Sequence, residues 1–332
     1  MRAARVTAFG GPEVLVTAEA PDPVAGPGEV VIAVEVVDTI FVQTQVRAGW
    51  GQEYFPVRPP YILGGGVAGT VRSVGEGVDG AHGADGADAD WTGRRVVASI
   101  GITGGSAELV ATPVESLVPV PDGLPFTTAA AVFQDGVTAL ALMDLTGVTA
   151  GERILITGAS GGMGTLLVQL AKARGAYVVG VARGERKTAL VRELGADAVV
   201  DGAHDGWPAR AREALGAAGA EVVLDGVGGE TGLAAFPLTA DGGRFSAHGA
   251  PTGGFAPVDP ARAADRKIRL LGIADVRIPR RETVRLAARA LTETASGRLR
   301  PVIGGTFPLD RAADAHRAIE GRGLLGKVLL TT

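Results

Sequence analysis

The segment Leu155–Gly164, "LITGASGGMG", limits what this chain can fold into more than any other stretch. An apolar run breaks into a glycine-rich turn, and the helical stretch "GGMGTLLVQLAKARG" follows at once. A strand ending this way leaves free backbone amides and the positive end of a helix dipole facing outward, where an anion can sit. Glycine is needed because a β-carbon would obstruct either the phosphate or the helix–strand contact. Gly158, Gly161, Gly162 and Gly164, with Ala159, Ser160 and Met163 between them, are therefore predicted to meet the pyrophosphate of a dinucleotide. A glycine pattern alone is weak, but this one follows a strand and opens a helix inside a βαβ unit.

The surrounding rhythm supports that context. From Pro125 onward, strands such as "RILIT" (Arg153–Thr157), "YVVGVA" (Tyr177–Ala182) and "DAVVD" (Asp197–Asp201) alternate with helical stretches, among them "ERKTALVRELG". Further strands are predicted at "EVVLDGVGG" (Glu221–Gly229) and "GGRFSAHG" (Gly242–Gly249). Such alternation implies right-handed crossovers and a Rossmann-type, doubly wound parallel sheet. Before it, from Met1 to Asp122, short β-rich runs cut by Gly and Pro predict a small, mostly β barrel or sandwich. The glycine-, alanine- and aspartate-rich stretch Gly77–Gly93 reads as a surface loop. The tail returns to mixed character, with a strand at Ile268–Ile273 and helices near Arg281–Ala295 and Arg311–Glu320. The expected organisation is one domain (residues 1–122) interrupted by a dinucleotide-binding domain (residues 123–267) and completed by a return segment (residues 268–332).

Composition removes whole classes of function. With 332 residues, 46% of them hydrophobic and 20% charged, the chain is globular and long enough for about two domains. A net charge of −4 offers no basic excess for nucleic acid. The N-terminal stretch has no leader pattern and no run approaches a membrane span, so a cytoplasmic protein without a membrane partner is predicted. The absence of cysteine excludes disulfides, thiolate nucleophiles and thiolate-ligated zinc, and the 4 scattered histidines predict no metal centre.

The end of the second strand bears on which dinucleotide is bound. An acidic residue there would suit a ribose 2′-hydroxyl, whereas "VVGVARGERK" places Arg183 at the tip with Arg186 and Lys187 behind it. A 2′-phosphate, and hence NADPH, fits best. The same charges also read as an ordinary solvated helix start, and Glu185 counts against a phosphate site. The turn is shared with short-chain dehydrogenases, which use a Tyr followed four residues later by Lys. Four residues beyond Tyr54, Tyr61 and Tyr177 stand Arg58, Gly65 and Val181, so that family fails on its catalytic pair.

Taken together, "GPEVL" (Gly11–Leu15), "GGGVAGTVRSVGEGV" (Gly64–Val78), "DGVTAL" (Asp135–Leu140), "GASGGMG", "VVLDGVGG" and the ending "FPLDRAADAHRAIEGRGLLGKVLL" carry a clear resemblance. The chain resembles the zinc-independent medium-chain dehydrogenase/reductases of the quinone oxidoreductase (zeta-crystallin-like) group over nearly its whole length. The resemblance implies a Rossmann-type sheet inserted into a GroES-like, mostly β barrel domain, an active site in the cleft between them, and a homodimer. It further implies Thr138 near the nicotinamide, Arg183 and Lys187 on the 2′-phosphate, Gly226, Val227 and Gly228 along the cofactor cleft, and Lys327 beside the cofactor. For Asp225 and His316 it leaves structural anchoring as the simpler reading.

The departures from that group are specific. Where zinc-dependent relatives have Gly-His-Glu, this chain has Gly64-Gly65-Gly66, and where many relatives have Asn, Asp and Tyr before an Arg-x-Gly ending, it has Ile40, Gln43 and Gln45. Gly202 stands where many relatives place a tyrosine against the adenine. The chemistry implied is hydride transfer from NADPH to a small hydrophobic quinone or an α,β-unsaturated carbonyl. Negative charge developing on the substrate oxygen needs hydrogen-bond donors. Gln43 and Gln45 offer amides, and Tyr54 and Tyr61 hydroxyls, although the tyrosine-flanked "FPVRPPY" also reads as a packed connection. Asp135 is a candidate proton donor and equally a helix cap or helix-start charge for "GVTALALMDL". Two rivals stand beside this reading: an enoyl reductase of a biosynthetic polyketide or thioester intermediate, and a non-enzymatic, crystallin-like NADPH-binding protein.

Overall fold

Valine-rich strands dominate the first third of the chain, as suits a pleated, half-buried surface. They are β1 (Arg2–Val6), β2 (Leu15–Glu19) and β3 (Glu29–Thr39), then, after helix α1 (Phe41–Arg47), β4 (Tyr61–Ile62), β5 (Gly66–Val74), β6 (Arg95–Ser99), β7 (Leu109–Pro113) and β8 (Leu117–Pro119). A long helix, α2 (Phe126–Thr146), follows. The computed structural model describes residues 1–78, 90–276 and 278–332, so most of the surface loop expected at Gly77–Gly93 lies outside the described residues.

Alternation then sets in: β9 (Arg153–Thr157), α3 (Gly162–Ala173), β10 (Tyr177–Ala182), α4 (Glu185–Glu193), β11 (Ala198–Asp201), α5 (Trp207–Leu215), β12 (Ala220–Asp225), α6 (Gly229–Ala235), β13 (Thr239–Ala247), α7 (Pro260–Asp265) and β14 (Arg269–Gly272). The tail adds α8 (Arg280–Ala295), β15 (Ile303–Pro308), α9 (Ala312–Glu320) and β16 (Lys327–Thr331). By contacts the chain forms two units, one of Met1–Val137 with Pro279–Thr332 and one of Thr138–Ile278.

In the second unit six parallel strands run in the order β11-β10-β9-β12-β13-β14. This is the doubly wound arrangement expected from the alternation, and its strand order reverses between β9 and β12. Ligands of such sheets sit at the carboxyl ends of the strands at that reversal, where Thr157 and Asp225 end β9 and β12. Leu155, Val179, Val223, Phe245 and Trp207 pack its core.

In the first unit β15-β16-β3-β5-β6-β8 form one sheet, with β7 also pairing β3, and β2-β1-β4 form a smaller one. β16 inserts between β15 and β3, placing Leu329 opposite Asp38 and Val328 opposite Thr39. The tail thus completes the N-terminal sheet. Val30, Ile32, Val67, Val96, Leu117, Val328 and Leu330 contribute to a shared core.

Two local expectations are corrected. Asp135 neither caps nor begins a helix, because α2 starts at Phe126 and runs through Asp135 and Gly136. Apolar residues on both sides of this segment carry the helix through it. Among the described helices α2 is also long and apolar enough, by length and composition, to cross a membrane, which overturns the expectation that no stretch approaches that length. Sixty-one percent of its most apolar window is buried inside the protein, as in the core helix of a globular chain.

Candidate functional site

The apolar strand β9 delivers the chain into the glycine turn of the second unit. Gly158 has φ of +63°, a left-handed conformation that glycine adopts without penalty. A β-carbon on Gly164 would lie 2.2 Å from the Gly158 carbonyl oxygen, so the helix can approach the strand only with glycine here. Thr165 donates its amide to Gly161 and its hydroxyl to Gly162, holding the first turn of α3. No side chain caps that helix at Gly161, which leaves its leading amides unspent. An open, uncapped cradle at the sheet reversal fits a pyrophosphate.

A second loop closes on the cradle from β12. Asp225 is fully buried. Its Oδ1 accepts from Thr157 Oγ1 at 2.6 Å, from Val227 N at 3.1 Å and from Gly228 N at 3.2 Å. Burial pushes its carboxyl up, and these donors oppose the shift. Asp225 therefore shapes the loop of Gly226, Val227 and Gly228. Beside it His248 is buried against Ser246 at 3.2 Å, and burial lowers it to about 4.

At the tip of β10 Arg183 is exposed and Lys187 half-buried. Asp201, which sequence reasoning passed over, holds this corner. Its Oδ1 accepts from Gly184 N at 3.0 Å and Ala203 N at 2.8 Å, and those amides hold the carboxyl below its ordinary range. A side chain at Gly202 would begin 2.9 Å from Val181 Cγ1, so the loop is tightly drawn there.

The first unit holds a different kind of site, built from side chains of three distant segments. Lys327 Nζ, from the start of β16, lies 2.6 Å from Asp38 Oδ1 at the end of β3 and 3.0 Å from Asp135 Oδ2 on α2. Lys327 is 4% exposed, Asp38 0% and Asp135 18%. Burial alone would lower the ammonium, but Asp135 and Asp38 raise it above its ordinary value. Asp38 is pushed up to about 7 by burial, opposed by Lys327 and reinforced by Asp135.

Around this cluster the main chain is tightly drawn. Gly66 N donates to Gln134 Oε1 at 3.2 Å. Gln43 is buried, and its Oε1 accepts from Ile40 N at 3.2 Å at the start of α1. Its Nε2, and the Thr39 hydroxyl nearby in sequence, are buried with no hydrogen-bond partner among the described residues.

The other candidates fall elsewhere. Gln45 is half-buried on α1, with its carbonyl accepting from Trp50 N at 3.0 Å. Tyr54 is 66% exposed. The Tyr61 hydroxyl is buried without a partner among the described residues, and burial raises the phenol while the Arg47 charge opposes the shift. Arg47 itself, another residue missed from sequence, is buried and ties α1 to α9. It meets Glu320 Oε1 at 2.5 Å, His316 Nδ1 at 3.3 Å and the Gly10 carbonyl at 3.2 Å. His316 is lowered to about 3 by burial and by Arg47, so it is neutral and accepts from the guanidinium.

Comparison with known proteins identifies the family. Residues 26–122 match the family described as alcohol dehydrogenase GroES-like domain, and residues 162–293 the family described as zinc-binding dehydrogenase. The quinone oxidoreductase of Rattus norvegicus is 30% identical over 99% of this chain and 97% of its own. The chain belongs to the quinone oxidoreductase family. An acryloyl-coenzyme A reductase of Sulfurisphaera tokodaii is also 30% identical over 94% of this chain and 95% of its own. A mycobacterial protein solved in complex with NADPH is 32% identical, covers 100% of both chains and superposes with a TM-score of 0.88. Despite the zinc-binding description, no group of three His, Asp or Glu side chains among the described residues could hold a metal ion, and the chain has no cysteine.

Sequence reasoning singled out the glycine turn but not the polar cluster of the first unit. It proposed Asp135 and Lys327 for separate tasks, whereas the structure pairs them directly and adds Asp38 as a second partner of Lys327. A carboxylate directly after the apolar pair Val36-Val37 in "EVVIAVEVVDT" was the signal that could have found Asp38.

Proposed function

We propose that this chain is a cytoplasmic, NADPH-dependent reductase acting on a quinone or an α,β-unsaturated carbonyl compound. The observation that carries the reading is the uncapped glycine cradle at the sheet reversal with Arg183 at the neighbouring strand tip. The NADPH complex of the mycobacterial relative and the name of the rat relative support it. In this reading Gly158, Ala159, Ser160, Gly161, Gly162, Met163 and Gly164 receive the pyrophosphate, and Arg183 and Lys187 the 2′-phosphate. Gly226, Val227 and Gly228 border the cofactor, and Thr138 and Lys327 lie toward its nicotinamide end. NADPH, when bound, supplies the hydride.

The residues of the first unit bind and polarise the substrate. The unpartnered Gln43 Nε2 and Thr39 hydroxyl are donors for its oxygen. Gln45 and Tyr61 line the approach, and Tyr54, mostly in solvent, is peripheral. Asp135 serves Lys327 as an ion-pair partner in preference to donating a proton.

The test is cofactor oxidation, with NADPH and NADH in parallel, against a panel of ortho- and para-quinones, simple enones and one acyl-thioester enoate. Turnover much faster with NADPH supports the assignment, and equal turnover with NADH removes the role of Arg183. Preference for the thioester would favour the enoyl reductase reading, to which the acryloyl-coenzyme A relative lends support. We further propose a homodimer formed through an edge strand of the parallel sheet, either β11 or β14. Monomeric elution at micromolar concentration would overturn it.

A further inference from the structure

We infer that Lys327 is a hydrogen-bond donor to the substrate oxygen, and that Asp38 and Asp135 are positioning residues that aim it. This inference rests on the reductase reading above.

Three segments remote in sequence spend charged side chains on one buried point: β16 gives Lys327, β3 gives Asp38 and α2 gives Asp135. Structural economy does not explain such a cluster. Buried ion pairs contribute little net stability, and well-packed apolar side chains of the same volume serve as well or better. An ammonium group has three N–H donors. Asp38 Oδ1 and Asp135 Oδ2 lie 2.6 Å and 3.0 Å from Lys327 Nζ as ion-pair partners, and no third acceptor is found for it among the described residues.

A neighbouring polar atom has the same character: Gln43 Nε2 is buried with no hydrogen-bond partner among the described residues. A β-carbon built on Gly65 would lie 3.0 Å from the Asp38 main-chain oxygen and 3.5 Å from Gln43 Nε2, so Gln43 Nε2 lies close to the main chain at Asp38. A buried donor left without an acceptor calls for a guest that accepts. A carbonyl oxygen of a quinone or enone is such a guest.

Reduction adds hydride at carbon, and the displaced π electron pair moves onto the carbonyl oxygen. Lys327 lowers the energy of that oxyanion by donating a hydrogen bond. It keeps its own proton, because Asp135 and Asp38 hold it in the ammonium form. The proton that completes the reduction comes from water. Two carboxylates in place of one fix the direction of the remaining N–H, since a single partner leaves the ammonium free to swing about its stem.

Steady-state kinetics of the full chain, with NADPH and the acceptor that the wild type reduces best, tests this. Lys327→Met is expected to lower kcat by about a hundredfold, and Asp38→Asn by roughly tenfold with NADPH affinity unchanged. A second readout needs no turnover: 4-nitrophenol bound to the wild type should favour its phenolate, and Lys327→Met should remove that preference. If a single variant fails to fold, Asp38→Leu/Lys327→Met, which removes both buried charges together, decides the question. A folded double variant with wild-type kcat and wild-type nitrophenol titration overturns the inference alone. A wild type that reduces no acceptor of the panel overturns the reductase reading and this inference with it.

Discussion

The two units solve the problem of building a site in opposite ways. In the second, the geometry is main chain: a short continuous stretch, Gly158–Gly164, makes its own cradle through a left-handed glycine and a close helix–strand approach. In the first, the geometry is side chain: Asp38, Asp135 and Lys327 meet only because a return strand threads between β15 and β3. A site of the first kind is a property of a peptide segment. A site of the second kind is a property of the finished fold, and it tolerates sequence change in the intervening chain.

The difference can be broken most sharply at Gly164. Gly164→Val sets a side chain against the Gly158 carbonyl 2.2 Å away, so calorimetry should find NADPH binding lost and the second unit weakened by about 3 kcal/mol or more. Wild-type affinity would show that the cradle is not a main-chain device. Asp225→Ala comes next. It strands the Thr157 hydroxyl and two amides, and denaturant titration should record a loss of about 2–3 kcal/mol.

Arg183→Ala sharpens the comparison, because it removes one side chain from a main-chain site. NADPH should bind roughly tenfold to a hundredfold more weakly while NADH is unaffected. A pH titration of stability probes both units at once. His248 and His316 are held near 4 and 3 in the folded chain against 6.5 for a free histidine, so the unfolded chain binds more protons below 6.5. Stability should be fully present above about pH 6.5 and fall as pH drops toward 4 and 3. His248→Gln should flatten the upper part of that fall. The smallest effect is expected at Tyr54, where Tyr54→Phe on an exposed ring should change kcat by less than about twofold.

These contrasts follow how legible each unit was in the sequence. Strands β9 and β10 coincide with their expected limits, because a buried parallel strand is a short apolar run bounded by turn residues. The glycine turn was readable for the same reason: local contacts produce it. Helix α1 was not anticipated, since "FVQTQVR" is short and is held by Arg47 reaching Glu320 and His316 from far along the chain. Asp135 invited a capping role because Gly136 follows it, yet the helix passes straight through, and that glycine packs near Ala290 of α8. The meeting of Asp38 with Lys327 depends on which strand neighbours β3, and periodicity carries no information on that choice.

The pairing of β16 with β3 also bears on how the molecule is made. Chains emerge from the ribosome with their N-terminal segments first and their domains fold as they appear. The βαβ units of the second unit need only near neighbours, so the glycine turn can form early. The N-terminal sheet must wait with the flank of β3 open until β16 arrives. A nascent or prematurely terminated chain would therefore carry a finished glycine turn and an unfinished sheet, with Asp38 lacking the ammonium it is buried against in the mature fold.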